Sequence, residues 1–229
     1  MATRVGAILA AAISSSVAND EGRSELTENI AELIAVVSRR VRQLYTMAAM
    51  PQRFGGMGNG YYFAVNETVV VGASPVALAA AAAFRHSIVD ALGVRVSVVS
   101  QADLDDQVAE MPPAVLIEKG LLRSAGRTGD PIVGASLTVR YTPLPGVLSV
   151  ETDYVGASTP ADPATTSWPD QVGDPYLISW LSRYLAVKSG DRDPQEMGQI
   201  QSDLGENAGL LGVLLGVDAT RLSDAEEHA

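Results

Sequence analysis

Val69–Ala83 reads VVVGASPVALAAAAA, and Gly93–Val99 follows as GVRVSVV. A β-branched run, a glycine turn, an Ala-rich stretch and a second β-branched run are the parts of a dinucleotide-binding βαβ unit. In such a unit a pyrophosphate rests on a helix N-terminus. Two positions depart from the pattern. Ser74 stands where a second glycine would let the backbone approach the phosphate. Ser100-Gln101 stand where an acid would take the ribose hydroxyls. Phe84–Leu92 also alternates as a strand rather than a helix. A small dinucleotide- or flavin-binding oxidoreductase built on residues 69–99 is therefore one reading, with two of its groups missing.

The other reactive side chains carry less. Asp103, Asp105 and Asp106 could ligate a metal, but the central Gly and later Glu of a calcium loop are absent, so a solvated turn is expected. His86 lies mid-strand with no acid at a supporting spacing, which suits a packed or rim residue. Ser14-Ser15-Ser16 lacks a glycine elbow and a partner base. The chain has no cysteine, which removes disulfides, thiol catalysis and Cys-based zinc sites. The expectation is a non-enzyme without cofactor or metal.

Charge narrows the partners. The 229 residues carry a formal net charge of −11, unevenly placed. Residues 1–100 hold eight arginines and seven acids; the remainder holds eight basic residues and twenty acids. Affinity for nucleic acid comes from Lys and Arg releasing counterions, so a general DNA binder is disfavoured. Arg4, Val5–Ile13 and Ser16-Val17-Ala18 imitate a short signal peptide but are expected to stay as a helix. Ala208–Val217 is too short an apolar run to cross a bilayer, so a soluble chain is expected.

These residues need elements to position them. Val5, Ile8, Leu9, Ala12 and Ile13 recur as one helix face within Thr3–Ala18. Ser24 suits an N-cap, and Leu26, Ile30, Leu33, Val37, Val41, Leu44 and Ala48 form a stripe over about six turns. Arg39, Arg40 and Arg42 cannot share one face of it, because adjacent residues diverge by about 100°. At least one is therefore expected to meet another part of the molecule or another subunit. Strands are predicted over Tyr61–Val71, Phe84–Asp90, Val94–Ser100, Val115–Glu118, Ser136–Tyr141 and Val147–Val155. Ser158–Asp174, with three prolines, reads as an extended connection. Two helices follow, faced by Leu177, Trp180, Leu181, Tyr184 and Leu185, then by Met197, Ile200, Leu204, Ala208, Leu211 and Leu215. Gly205, Gly209, Gly212 and Gly216 leave a flat seam on the second, where another backbone could approach, or a weak terminus.

The expected fold class is α+β, with N- and C-terminal helices forming a helical bundle and a β-rich central insert. Its parts would be N-terminal helices over 1–59, a β-rich insert over 60–157, and a linker loop with C-terminal helices over 158–229.

One stretch carries a resemblance. Arg140–Pro194 runs RYTPLPGVLSVETDYV, GASTPADPATTSWPDQVGD and PYLISWLSRYLAVKSGDRDP. A strand ending in Pro143 and Pro145, a second strand, a polar loop reaching Trp168-Pro169, and an amphipathic helix follow in order. This layout resembles the head-to-tail adaptor (connector) proteins in the necks of tailed bacteriophages, most clearly from Val94 to Val187. The resemblance implies a virion structural protein, assembled in the host cytoplasm as a homo-oligomeric ring of about twelve copies. It would join the portal protein to a tail, nozzle or stopper protein and pass DNA through its channel without holding it. Subunit or portal contacts would fall to Arg39, Arg40, Arg42, Leu211, Leu215, Arg221 and Leu222. The acids Asp103, Asp105 and Asp106 would face the channel. A tail-terminator or head-completion protein is the neighbouring alternative.

Overall fold

The computed structural model describes residues 2–16, 29–50, 62–72, 74–80, 82–99, 114–118, 121–125, 132–189 and 194–223. The chain divides into two compact units, one made of residues 1–62 with 145–229, the other of residues 63–144.

The first unit is helical. α1 (Val5–Ser16) buries Val5, Ile8, Leu9 and Ala12, the face its spacing predicts. α2 (Ile30–Ala49) buries Leu33, Val37, Val41, Leu44 and Ala48 as expected. It also buries Ile34, Val36, Ser38, Arg40 and Tyr45, so more than one face is covered. The Ser24 cap lies outside the described residues. α3 (Asp170–Ser189), α4 (Pro194–Leu215) and α5 (Ala219–Ser223) complete the unit. α3 packs on α1 and α4, and α5 packs on α4.

α3 starts well before the predicted face at Leu177 and contains Pro175. Its first turn is held by side-chain contacts that outweigh the proline. Asp174 Oδ1 accepts from Trp168 Nε1 at 2.8 Å and Oδ2 from Thr3 Oγ1 at 2.5 Å. A Cβ on Gly173 would sit 2.4 Å from the Trp168 ring, so glycine is what lets the indole lie on the helix.

The second unit contains two sheets. β1 (Val65–Val70), β2 (Val76–Ala77), β3 (Ala82–Val89), β4 (Ser97–Val99), β5 (Ala114–Glu118), β6 (Leu121–Ser124) and β7 (Ser136–Pro143) follow in chain order. One sheet has the order β1-β7-β3 and the other β2-β6-β5-β4. The first is antiparallel throughout, with Val69 opposite Leu137 and Ile88 opposite Val139. In the second, β4 runs parallel to β5 while the remaining pairs are antiparallel. On β7, Leu137, Val139 and Tyr141 are buried, as period-two alternation requires. They join Val69, Val71, Ile88, Val115, Leu122 and Ile132 in one core.

The expected architecture of terminal helix pairs closing around a single β-rich insert is corrected. The molecule is α+β with, among the described residues, five α-helices and two separate sheets of three and four strands. Strands of the two sheets are interspersed along the chain, with β3 between β2 and β4 and the second sheet's strands between β1 and β7, so neither sheet is a contiguous block. The predicted strand Val147–Val155 does not form. Asp153 Oδ2 accepts from Ser149 N at 2.7 Å and Val150 N at 3.0 Å, bending the backbone despite its β-branched residues. That segment belongs to the helical unit.

No βαβ unit forms over residues 69–99 either. Val76–Ala77 and Ala82–Val89 are strands, and the described residues between β1 and β3 contain no helix. A pyrophosphate would find no helix N-terminus there.

Candidate functional site

Three places gather polar side chains. The first is centred on Arg40, which is only 7% exposed. Its Nε donates to Tyr176 OH at 2.9 Å, and NH2 donates to Leu222 O at 2.7 Å and also to Tyr176 OH. Tyr176 OH in turn donates to Leu222 O at 2.9 Å. The guanidinium lies 5.0 Å from the Trp180 ring centroid and 5.7 Å from that of Tyr176. No carboxylate partners Arg40 among the described residues. A phenol, two π faces and the carbonyl at the end of α5 share its charge, and a helix C-terminus favours a cation. Burial raises the Tyr176 pKa, although the Arg40 charge and hydrogen bond oppose that. Arg183 NH1 donates to Ser223 O at 2.6 Å, so a second arginine reaches the same helix end.

This arrangement corrects part of the expected contact surface. Arg40 is consumed in tying α2 and α3 to α5. Leu211, Leu215 and Leu222 are each 0% exposed, buried inside their own chain, and have no area to offer a partner. Arg42 is half-buried and donates to Pro145 O at 3.2 Å. Arg39 and Arg221 remain exposed. Asp103, Asp105 and Asp106 lie outside the described residues. The glycine seam of α4 is used at one point, where a Cβ on Gly212 would come within 2.7 Å of Val217 O. Gly205 and Gly209 face open space.

The second place is a cleft of about 420 Å³ between α1, α3 and α4, lined by Ser15, Ser179, Ser182, Glu196, Gln199 and Asp203 among others. Its hydroxyls are engaged: Ser15 Oγ and Ser182 Oγ are 2.7 Å apart, and Ser182 Oγ donates to Ile178 O at 2.8 Å. Asn207 Nδ2 donates to Ser179 Oγ at 2.8 Å. These bonds satisfy helix and side-chain groups. Among the described residues none of these hydroxyls is hydrogen-bonded to a base that would make it a nucleophile, although Glu196 and Asp203 line the same cleft.

The third place is a cleft of about 490 Å³ in the β unit. β3 and β4 form the arms of a hairpin closed around Gly93, whose φ of 79° favours glycine. Asp90 Oδ1 accepts from Leu92 N and Val94 N at 2.9 and 2.8 Å, fixing the turn. The arms are joined as far as Val96 N–Ile88 O, at 2.9 Å. Beyond that bond β3 pairs with β7 in one sheet and β4 with β5 in the other. The hairpin therefore splays, and the cleft opens in its fork. Arg85, Ser87, Arg95 and Ser97 line it with Ile88, Val96, Val98 and Ile117. Burial lowers the Arg85 pKa. His86, also at this cleft, has Nε2 2.9 Å from Thr142 Oγ1. No carboxylate lines this cleft among the described residues.

Elsewhere in the β unit a carboxylate acts as a clip. Glu67 accepts from Ala79 N at 3.0 and 3.1 Å and from Tyr141 OH at 2.7 Å. Burial and the Glu67 carboxylate raise the Tyr141 pKa to about 12. Among the described residues no three His, Cys, Asp or Glu side chains gather into a metal-holding group, and no helix is long and apolar enough to cross a membrane.

Sequence reasoning missed the forked cleft, since Arg85 and Arg95 stand in separate predicted strands. Their one shared signal was the Ala91-Leu92-Gly93 turn between them. No protein-family model matches the chain, and no curated protein matches it.

Proposed function

We propose that this chain is a virion structural protein of a tailed bacteriophage. It would be a neck adaptor whose copies form a ring of about twelve joining the portal to the tail. The support from sequence is the layout of Arg140–Pro194. In the fold, that stretch covers the end of β7, a turn-rich segment with a short 3-10 helix at Pro163–Thr165 where an extended connection was expected, and α3. The observation that carries the reading is the state of the β unit's margins. Each sheet has a second outer strand besides the one at the fork, β1 in one and β2 in the other. Val70 on β1 is 60% exposed. Outer strands offer unpaired N–H and C=O groups to another chain. Copies of this protein could meet there, with Arg39 and Arg221 as remaining charged contacts. The acidic portion beyond residue 100, Asp103, Asp105 and Asp106 included, would face the channel and let DNA pass without retaining it.

Native mass spectrometry tests the ring, first on the protein alone and then after mixing with its portal protein. A closed oligomer of defined count is expected on the portal. A chain that stays monomeric in both conditions overturns the proposal. A ring that binds tail tubes but not portals would assign the chain to tail termination instead.

A further inference from the structure

We infer that the fork between β3 and β4 is a docking groove for an extended acidic peptide, which enters as an added strand and sets its carboxylates against Arg85 and Arg95. Three independent observations converge on this occupant. The first is charge. Two guanidinium groups line the groove, and among the described residues lining it none is a carboxylate. Elsewhere among the described residues Arg40 and Arg183 hold the carbonyls that end α5, and even the exposed Lys188 Nζ meets Glu32 Oε1 at 2.7 Å. Arg85, partly withdrawn from water, has neither among the described residues.

The second observation is backbone geometry. β3 is an outer strand of one sheet and β4 an outer strand of the other, and both face the fork past the Val96–Ile88 bond. An extended peptide lying in the fork can bond to a strand edge through its main chain, and its alternate side chains point to opposite sides. The third is the lining. Ile88, Val96, Val98 and Ile117 alternate with the polar groups, and Val98 is 53% exposed. A small inorganic anion would use the arginines and leave this apolar wall wet. A peptide alternating acidic and apolar residues covers both. The volume of about 490 Å³ accommodates a few such residues rather than a single ion. This inference holds whether or not the copies close into a ring.

Fluorescence anisotropy on the full chain tests it with three labelled peptides. One alternates glutamate with valine, one alternates lysine with valine, and one keeps the glutamates but replaces the valines by proline. The Glu-Val peptide is expected to bind saturably and to weaken as salt rises, while the Lys-Val peptide does not bind. The proline peptide, equal in charge but unable to pair as a strand, is expected to bind less well. Arg95→Glu, at an exposed position that leaves the fold intact by circular dichroism, should weaken the Glu-Val peptide by about tenfold. Arg85→Lys should keep most of the binding. The inference is overturned if the Glu-Val peptide fails to bind, or if Arg95→Glu binds it as the parent chain does. It is equally overturned if inorganic phosphate displaces the peptide at matched charge, or if the proline peptide binds as tightly, since a plain anion site would then suffice.

Discussion

Arg40 in the helical unit and Arg85 in the β unit are both drawn out of water with no carboxylate among the described residues to meet them, yet their circumstances are opposite. Arg40 finds a phenol, a backbone carbonyl at a helix end and the faces of Trp180 and Tyr176. Arg85 lines an open fork with a second arginine. Oxygen atoms and π faces can complete a buried cation without any acid, and the helical unit supplies them from α3 and α5. The described residues of the β unit, whose two sheets part at that hairpin, supply none. In the one case positive charge closes a structure; in the other it leaves a surface that selects for negative charge.

The sharpest way to break this contrast is at the aromatic under Arg40. Trp180 is 1% exposed, and Trp180→Ala should cost about 3–5 kcal/mol by denaturant midpoint. His86→Ala, at the margin of the fork, should cost far less, and equal midpoints would erase the difference between the units. Trp180 Nε1 is buried without an acceptor among the described residues. Trp180→Phe removes that orphan group and should therefore cost clearly less than Trp180→Ala.

Next in size is Arg40→Leu, which strips partners from Tyr176 OH and Leu222 O. Tyr176 OH still donates to Leu222 O, so a loss of about 1–3 kcal/mol in all is expected, with α5 detached first. Hydrogen exchange at residues 219–223 would report the detachment. Arg85→Leu should not lower stability, since no bond is lost; a loss comparable to that of Arg40→Leu would show that the fork arginine is structural after all.

Acid separates the units differently. Burial raises the Asp153 pKa, but bonds from Ser149 N, Val150 N and Ser149 Oγ outweigh it and hold the carboxyl below its usual range. A depressed carboxylate stabilises the fold above its unfolded pKa, and that contribution disappears as pH falls through the folded value. Midpoints measured at descending pH below the ordinary carboxylate range should fall for the parent chain and fall less for Asp153→Asn. The smallest effect belongs to Lys188→Ala. Its 2.7 Å pair with Glu32 is exposed, 40% and 52% on the two sides, so a loss of under about 1 kcal/mol is expected, fading with salt.

What could be read in the residues follows from how local each cause is. The α1 and α2 stripes and the alternation on β7 are carried by periodicity within one element, and the folded chain keeps them. The start of α3 was hidden because Trp168, Pro169, Gly173 and Pro175 have loop texture. The Asp174 bonds and the Trp168–Gly173 contact that override it join residues up to 171 positions apart. The strand expected at Val147–Val155 yields to one carboxylate, Asp153, whose reach to Ser149 and Val150 no β-propensity contains. Arg40 could be flagged as pointing away from its neighbours, but its destination depends on α5, 182 positions along. β2 and β6 are short and carry little pattern of their own. The Ala-rich stretch after Gly72 suggested a helix, but its β2 pairs with β6, beyond any local window.

The order of the units along the chain has a consequence for synthesis. Residues 3–6 are bonded to a segment that the ribosome makes much later: Val5 N to Asp153 O at 2.9 Å, Gly6 N to Glu151 O at 3.0 Å, and Val155 N to Thr3 O at 2.9 Å. The β unit is one uninterrupted stretch, residues 63–144. On a growing chain it can therefore finish first, while α1 and α2, already made, must wait for their partners with apolar faces uncovered. Translation pauses beyond residue 144 would prolong that exposed interval, and faster delivery of the last third would shorten it.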